Sequence, residues 1–549
     1  MSKENGTREL VHRCYTSQPK YTEIEPGVPE DYKQINTVGQ LLEISYKEAN
    51  VDEQMRRNLV AKRRRNENPY RGIVGFDEDV IPATDRAILA GHDIIYIGEI
   101  GQAKTRLAET IAKNLLSPIP AVRGTLTHDV PTTIPEDELV AMLTDQEIIR
   151  TSPEFHVSKE CEDIIRNNKL DTKIDWVDGT QRYKYVLATP DISVKDLVGQ
   201  IDAIKIAKKG VEIYSMESYS PGQLLLARHG ILCIDELPVL DPRKQVALLS
   251  VLQEGKFTTG AYPVVFKPMA RIIATANPID YTHSGKIIEP LFDRLKSHID
   301  THYPTTVEQE MTIMVQEANV NDGKAFLPIF MLKTLARIVY LARNHPDVNK
   351  DKGVSVRMGI HSLELLMGEA MRTRTLYNDV PAIPRPCDIY SIHQAAKFEL
   401  SEVEDTRENR VNVLNALIEE SLKQTALEYM ASITQDQLAK LKEEFAKNKM
   451  FEVAQNLLGS KQDSVDYTTQ LSKFPTLKQF VDQVREMAKK DQQVFVENVK
   501  KYNVESDIIS LGDNLNGEFT ASVTEIVLEG LRWLTPAIVD KKEKGYVST

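Results

Sequence analysis

Cysteine is scarce in this chain. The four in 549 residues, Cys14, Cys161, Cys233 and Cys387, form no C-x-x-C pair and have no histidines at metal-ligand spacing. A disulfide framework and a structural zinc site are therefore not expected, and the thiols read as reduced. Long apolar runs are also lacking, so no segment is expected to span a bilayer. The polar start, Met1-Ser2-Lys3-Glu4-Asn5-Gly6, has none of the apolar character of a secretory signal. The expected location is cytoplasmic. Positive charge is in deficit, with 68 Lys and Arg against 80 Asp and Glu and a net charge of −12. That weighs against a nucleic-acid binder held mainly by electrostatics, while a local basic patch stays open. The remaining composition, 41% hydrophobic and 27% charged, is that of an ordinary globular chain. Its length suggests about three or four domains.

One stretch organises the rest. The apolar run Asp93-Ile94-Ile95-Tyr96-Ile97 ends in Gly98-Glu99-Ile100-Gly101-Gln102-Ala103, followed by Lys104-Thr105 and a helical pattern from Arg106 to Leu116. Strand, loop, Lys-Thr and helix in that order make a phosphate cradle. Loop N–H groups and the positive end of the helix then point at one anion. Lys104 would reach the β- and γ-phosphates of ATP, and Thr105 would offer its hydroxyl to Mg²⁺. The stretch departs from G-x-x-x-x-G-K-[ST] at Ala103, where a Cβ narrows the loop. A strand–turn–helix with a surface lysine is the plain alternative.

Downstream, Gly230-Ile231-Leu232-Cys233-Ile234-Asp235-Glu236 predicts a buried parallel strand with two acids at its C-terminal end, where ligands bind in open α/β sheets. Asp235 would hold Mg²⁺ through water, and Glu236 would orient the attacking water or take its proton. Acids placed there for solubility are the alternative; Cys233 reads as a small core residue. Arg271 to Ala276 predicts another strand, ending at Asn277 before Pro278. The Asn277 carboxamide would reach the γ-phosphate or the water, unless it only forms a turn. Phe257 to Pro268 reads as a hairpin turning near Gly260. Arg294 has no evident partner in its own site, as expected of an arginine acting on a neighbouring copy, or of a surface salt bridge.

Composition shifts divide the chain. Residues 1–68 are polar, with weak helical patterning over Val38–Met55 and one basic cluster, Arg56-Arg57 and Lys62-Arg63-Arg64-Arg65. That cluster reads as a solvated helix face, with an acidic partner or nucleic acid as the alternative. Residues 69–304 form the expected nucleotide-binding core, interrupted by a polar insertion at 118–184 in which Ile174–Val177 suggests a short strand. Residues 305–400 are helical, over Val307–Ala318, Pro328–Asn344, Met358–Thr373 and Cys387–Glu399. Arg357 opens the third of these, a position unfavourable to the macrodipole and so suggestive of an anion. Residues 401–549 are a helical, charge-rich extension ending in the amphipathic run Val523–Leu534, which would dock on the chain or on a partner.

Taken in order, these motifs resemble the AAA+ ATPases of the helix-2-insert group, above all the magnesium chelatase ATPase subunit and the MoxR ATPases. The resemblance also rests on Thr189-Pro190-Asp191 through Gly199-Gln200-Ile201-Asp202, on Ser220-Pro221-Gly222-Gln223 through Leu232, and on Lys267-Pro268 through Pro278. Ala103 before Lys104 is similar to a MoxR variant. The resemblance implies an α/β fold: an αβα P-loop core with a parallel sheet, a helix-2-insert region at 189–220, a helical lid and a mostly helical extension. It implies a Walker A at Gly98, Gly101, Lys104 and Thr105, a Walker B at Asp235 and Glu236, sensor 1 at Asn277, an arginine finger at Arg294 and sensor 2 at Arg357. ATP and Mg²⁺ are the implied cofactors and a hexameric ring of copies the implied assembly. Chelatase work needs an integrin-like metal-binding domain marked by D-x-S-x-S, which is absent here, so a separate partner would supply it. The expected function is a ring motor remodelling a protein client or a metallocofactor-insertion partner. A nucleic-acid translocase and a nucleotide-gated scaffold are the alternatives.

Overall fold

The computed structural model describes residues 2–148, 154–202, 204, 206–207, 218–254, 257–258, 265–278, 286–320, 325–350, 352–376, 380–395, 397–453, 464–510 and 516–549. The chain divides into two compact units, residues 1–99 with 103–302, and residues 100–102 with 303–549.

The first unit is built on a five-stranded parallel sheet. Its strands are β1 (Ile94–Ile97), β2 (Tyr183–Leu187), β3 (Ile231–Asp235), β4 (Arg271–Ala276) and β5 (Ser297–Asp300), in the spatial order β5-β1-β4-β3-β2. Alternate residues of each strand feed opposite faces, as the two-residue period of a strand requires. Ile94, Tyr96, Ile231, Cys233 and Ile273 join Leu107, Ile111 and Leu115 of helix Lys104–Leu115 on one side. Ile95, Leu232, Ile234, Ile272 and Ala274 join Leu197, Leu224, Leu248 and Leu291 on the other. A parallel sheet needs both faces covered, and each fully buried Leu or Ile contributes about 1.5–3 kcal/mol.

The boundaries differ from those expected at two places. Tyr183 and Lys184, read as the end of an insertion, are the first residues of β2. Helix Val51–Arg64, read as part of a separate N-terminal segment, buries Val51, Met55 and Leu59 in the sheet's own core. What precedes it, and most of residues 118–177, share a third core. There Val11, Cys14, Val38 and Leu42 meet Ile119, Leu139, Met142, Ile165 and Ile174. Strands Ile119–Val122 and Ile174–Val177 pair antiparallel within this module. Its helices Glu136–Leu143 and Lys159–Asn168 are short, so their periodicity is lost in a polar background.

In the second unit, helices Val307–Glu317, Ile329–Asn344 and Val356–Ala370 follow the predicted pattern. The predicted helix Cys387–Glu399 is instead a 3₁₀ run, Pro386–Gln394, after a proline at its first position. Lid and extension belong to this one unit. The amphipathic run near the C-terminus lies in helix Asn516–Trp533 and docks on the chain itself, with Val523, Ile526, Val527, Leu528 and Leu531 all buried. The predicted hairpin is present as Phe257–Thr258 paired antiparallel with Val265–Phe266; Gly260 lies outside the described residues.

Candidate nucleotide site

The loop after β1 closes on its own base. Gly98 N donates to the Ala276 carbonyl at 3.0 Å, tying the loop to β4. The Lys104 ammonium lies over this base, donating to the carbonyls of Gly98 (2.5 Å) and Glu99 (2.7 Å). Gly101 (φ +83°) and Ala103 (φ +51°) are both left-handed. Ala103 thus adopts the conformation that glycine would take without penalty, against a Cβ–carbonyl clash of about 1–2 kcal/mol. Helix Lys104–Leu115 starts from Ala103 with no side-chain cap, which leaves its first N–H groups to a ligand or water. Of the loop's other residues, Gln102 is buried and Ile100 half-exposed. The Tyr303 hydroxyl donates to the Ile100 carbonyl at 2.9 Å. A Cβ on Gly101 would run into the Ser355 hydroxyl, so only glycine fits there.

The acids sit where the sheet's strands end. Asp235 is the last residue of β3, and its carboxylate accepts three hydroxyl hydrogen bonds. Thr105 Oγ1 (3.0 Å) and Thr275 Oγ1 (2.5 Å) donate to Oδ1, and Tyr185 Oη (2.9 Å) donates to Oδ2. Asp235 forms no ion pair among the described residues. Burial and this bond push the Tyr185 phenol up to about 12, so it remains a donor at neutral pH. Glu236 follows at φ +57°, a left-handed conformation sparsely populated by non-glycine residues and frequent at functional sites. Its N–H donates to Thr275 Oγ1 at 3.0 Å, so Thr275 links the Asp235 carboxylate to the backbone of Glu236. Asn277 is buried directly after β4.

The two expected arginines lie at the ends of helices. Arg294 ends helix Glu289–Arg294, pairs with its neighbour Asp293 at 2.8 Å and remains 40% exposed. Arg357 is exposed in the first turn of Val356–Ala370, where Ser355 Oγ caps its N–H at 3.2 Å. The basic cluster is largely answered within the chain. Arg57 pairs with Glu23 and Glu53, Arg63 with Asp85 (2.8 Å), and Arg65 and Lys62 with Glu67 (3.2 and 3.8 Å).

Sequence reasoning missed Thr275 and Tyr185. Thr275 is a lone hydroxyl in the apolar run Ile272-Ile273-Ala274, a signal in hindsight. Tyr185 lies just past the stretch read as insertion, where no strand was expected, and only the strand register brings it to Asp235. The donor set fits a magnesium–nucleotide: an ammonium, an uncapped helix end, a hydroxyl and an uncompensated carboxylate converge on one side of the sheet.

Residues 170–295 match the AAA domain of the dynein-related subfamily. That span takes in β2, β3, β4 and Arg294. An uncharacterised protein, YeaC, of Bacillus subtilis (strain 168) is 26% identical over 139 residues, 25% of this chain and 39% of its own length. The chloroplastic magnesium-chelatase subunit ChlI of Nicotiana tabacum is 25% identical over 268 residues, 48% of this chain and 54% of its own length. The chain therefore spans about two-fifths and about half the length of these curated relatives. Among solved structures, a cryo-electron microscopy-based complex of magnesium-chelatase subunits BchI and BchD matches with a TM-score of 0.31 and 17% identity, covering 62% of this chain and 98% of that one. The chain resembles the AAA+ ATPases of the magnesium-chelatase type and has their α/β fold. No helix among the described residues is long and apolar enough to cross a membrane, and no cluster of three or more His, Cys, Asp or Glu among them could hold a metal.

Proposed function

We propose that this chain is an ATP-hydrolysing motor that works as a ring of copies, a hexamer, on a protein client or a metallocofactor-insertion partner. The observation that carries the reading is the meeting of Thr105, Asp235 and Thr275 beside the Lys104 loop, with Glu236 next in the chain. Gly98, Glu99, Ile100, Gly101, Gln102 and Ala103 would wrap the phosphates, with Lys104 turning from the loop carbonyls to them. Thr105 and Asp235 would hold Mg²⁺, Asp235 through water. ATP would supply the scissile phosphoanhydride, and Mg²⁺ would neutralise charge on its phosphates. Glu236 would orient the attacking water and take its proton, and Asn277 would steady it. Arg294, half-exposed and paired only with Asp293 among the described residues, would serve a neighbouring copy, and Arg357 would answer the nucleotide from the lid. A finger supplied in trans makes hydrolysis depend on assembly.

ATP turnover measured against protein concentration tests this, for wild type, Glu236→Gln and Arg294→Ala. The expected result is a steep rise for wild type, loss in both variants, and partial recovery when the two variants are mixed. Flat turnover in wild type would remove the shared site. Absent ATP binding would remove the reading altogether. The nucleic-acid alternative loses support because Arg57, Lys62, Arg63 and Arg65 of the basic cluster are paired within the chain, and the chelatase-type reading calls for a separate partner with an integrin-like metal-binding domain.

A further inference from the structure

Asp235 is a carboxylate whose two oxygens are held differently. Oδ1 accepts from Thr275 and Thr105, whereas Oδ2 accepts from Tyr185. Under the proposed reading Thr105 turns its hydroxyl to the metal, leaving Thr275 on one oxygen and Tyr185 on the other. Without Tyr185 the carboxylate would be fixed at one atom and free to swing about its χ2 torsion, which is broad for an aspartate.

The geometry is specific to the strand register. β2 is the edge strand of the sheet, and its Tyr185 and Leu187 lie beside Cys233 and Asp235 of β3. Tyr185 is thus the diagonal neighbour of Asp235 on the same face, within reach of a long aromatic side chain. That face is the one on which helix Lys104–Leu115 packs. The residue itself is 46% exposed, so burial of its ring explains little of its presence. The carbonyl of Asp235 is fixed from the same strand end by Ala188 N at 2.8 Å. Edge strand and acid are therefore joined through both backbone and side chain.

We propose that Tyr185 is a positioning residue for the metal site: its hydroxyl, donated from the edge strand, sets the orientation in which Asp235 meets Mg²⁺ and its water. The inference rests on the nucleotide-site reading above. Outer partners that orient a metal-holding group typically govern metal affinity by about 10- to 100-fold, with little influence on contacts that need no metal.

The test is binding of a fluorescent ADP analogue to the full chain, in EDTA and across a MgCl₂ titration, for wild type and Tyr185→Phe. Phenylalanine keeps the ring and the strand propensity and removes only the hydroxyl. The expected result is unchanged affinity in EDTA, an unchanged melting temperature, and a Mg²⁺ requirement raised about 10-fold. Equal Mg²⁺ curves would overturn the proposal, as would a loss of affinity that is the same with and without Mg²⁺. A double-mutant cycle adds a readout that a merely structural role would not move. In an Asp235→Asn background, Tyr185→Phe is expected to change the Mg²⁺ curve no further, and an undiminished effect there would also overturn it. Should wild type fail to bind the analogue at all, the nucleotide-site reading fails first and the role of Tyr185 falls with it.

Discussion

The two ends of the same parallel strands answer negative charge in opposite ways. At the C-terminal ends, Asp235 is met by three hydroxyls and forms no ion pair among the described residues. At the N-terminal ends, acids are met by arginines and a histidine. Arg228, just before β3, pairs with Asp129 at 2.7 Å, and His229 pairs with Glu48 at 2.6 Å. Arg271, which opens β4, pairs with Asp52 and with Asp93, the residue before β1. Arg182, before β2, is wholly buried on the carbonyls of Ser117 and His229 and on Gln54. A charge completed inside the chain belongs to the architecture and locks the N-terminal module to the sheet. A charge left with neutral donors is poised for a cation from outside. The difference separates carboxylates paired within the chain from one met only by neutral donors, without reference to any relative.

Removing a cation at the completed end should have the largest effect. Arg228→Leu leaves Asp129 buried with only Thr127 and Ser158 as donors, and breaking one side of such a pair destabilises by about 3–5 kcal/mol. Chemical denaturation should show that loss, with much of it regained in Arg228→Leu/Asp129→Leu. A loss under about 1 kcal/mol would mean the pair is not desolvated as its burial implies, and the comparison would break.

At the open end the reverse is expected. Glu236→Gln should reduce ATP turnover by about 10²- to 10⁴-fold, the usual contribution of a positioned base. Stability should change by no more than about 0.5 kcal/mol, since the amide keeps the shape of the carboxylate on a side chain that is only partly buried. A variant that melts early would place Glu236 with the structural acids instead.

These two ends also differ in how far the sequence discloses them. The C-terminal ends were legible because loop, Lys-Thr and paired acids are contiguous, and contiguous residues carry their geometry with them. The three strands β1, β3 and β4 were legible as apolar runs. The N-terminal ends were not, because Asp129, Glu48 and Asp52 lie far along the chain from Arg228, His229 and Arg271. Nothing local marks such residues as partners. β2 was hidden by the same cause: Tyr183-Lys184-Tyr185 alternates too weakly to be told from the polar stretch before it, and its register against β3 is a tertiary fact. The third core, built from residues on both sides of the loop, was invisible for that reason too.

Acid should pull the completed end apart before the second unit responds in kind. Burial alone would raise the Glu48 carboxyl, but His229, Arg182 and Arg228 more than offset it and hold it below its ordinary 4.5. A depressed carboxylate contributes stability that is full above 4.5 and lost as pH falls through its lower folded value. Glu525, in the second unit, has the opposite sign: burial raises it and Arg385 only partly offsets this. Its contribution is full below 4.5 and lost as pH rises through the raised value. Hydrogen exchange at stepped pH should therefore show protection around Glu48 and His229 falling in acid, and Glu48→Gln should flatten that dependence. Protection in wild type that is no more sensitive to acid below pH 4.5 than in Glu48→Gln would contradict the assignment.

The smallest effect concerns the loop itself. Ala103 holds φ +51°, where its Cβ is worth about 1–2 kcal/mol against the conformation. Ala103→Gly removes that strain but gives the unfolded chain more freedom, which returns about 0.4–1 kcal/mol. The net expectation is a gain of a few tenths to about 1 kcal/mol in unfolding free energy, with nucleotide affinity unchanged or slightly higher because the bound loop is no longer strained. Denaturant unfolding and analogue binding on the same preparation measure both. If the glycine variant is less stable, the left-handed turn is relaxed in the free protein and is imposed only when the loop closes. Ala103 would then belong to the ligand-completed end of the sheet in conformation as well as in place.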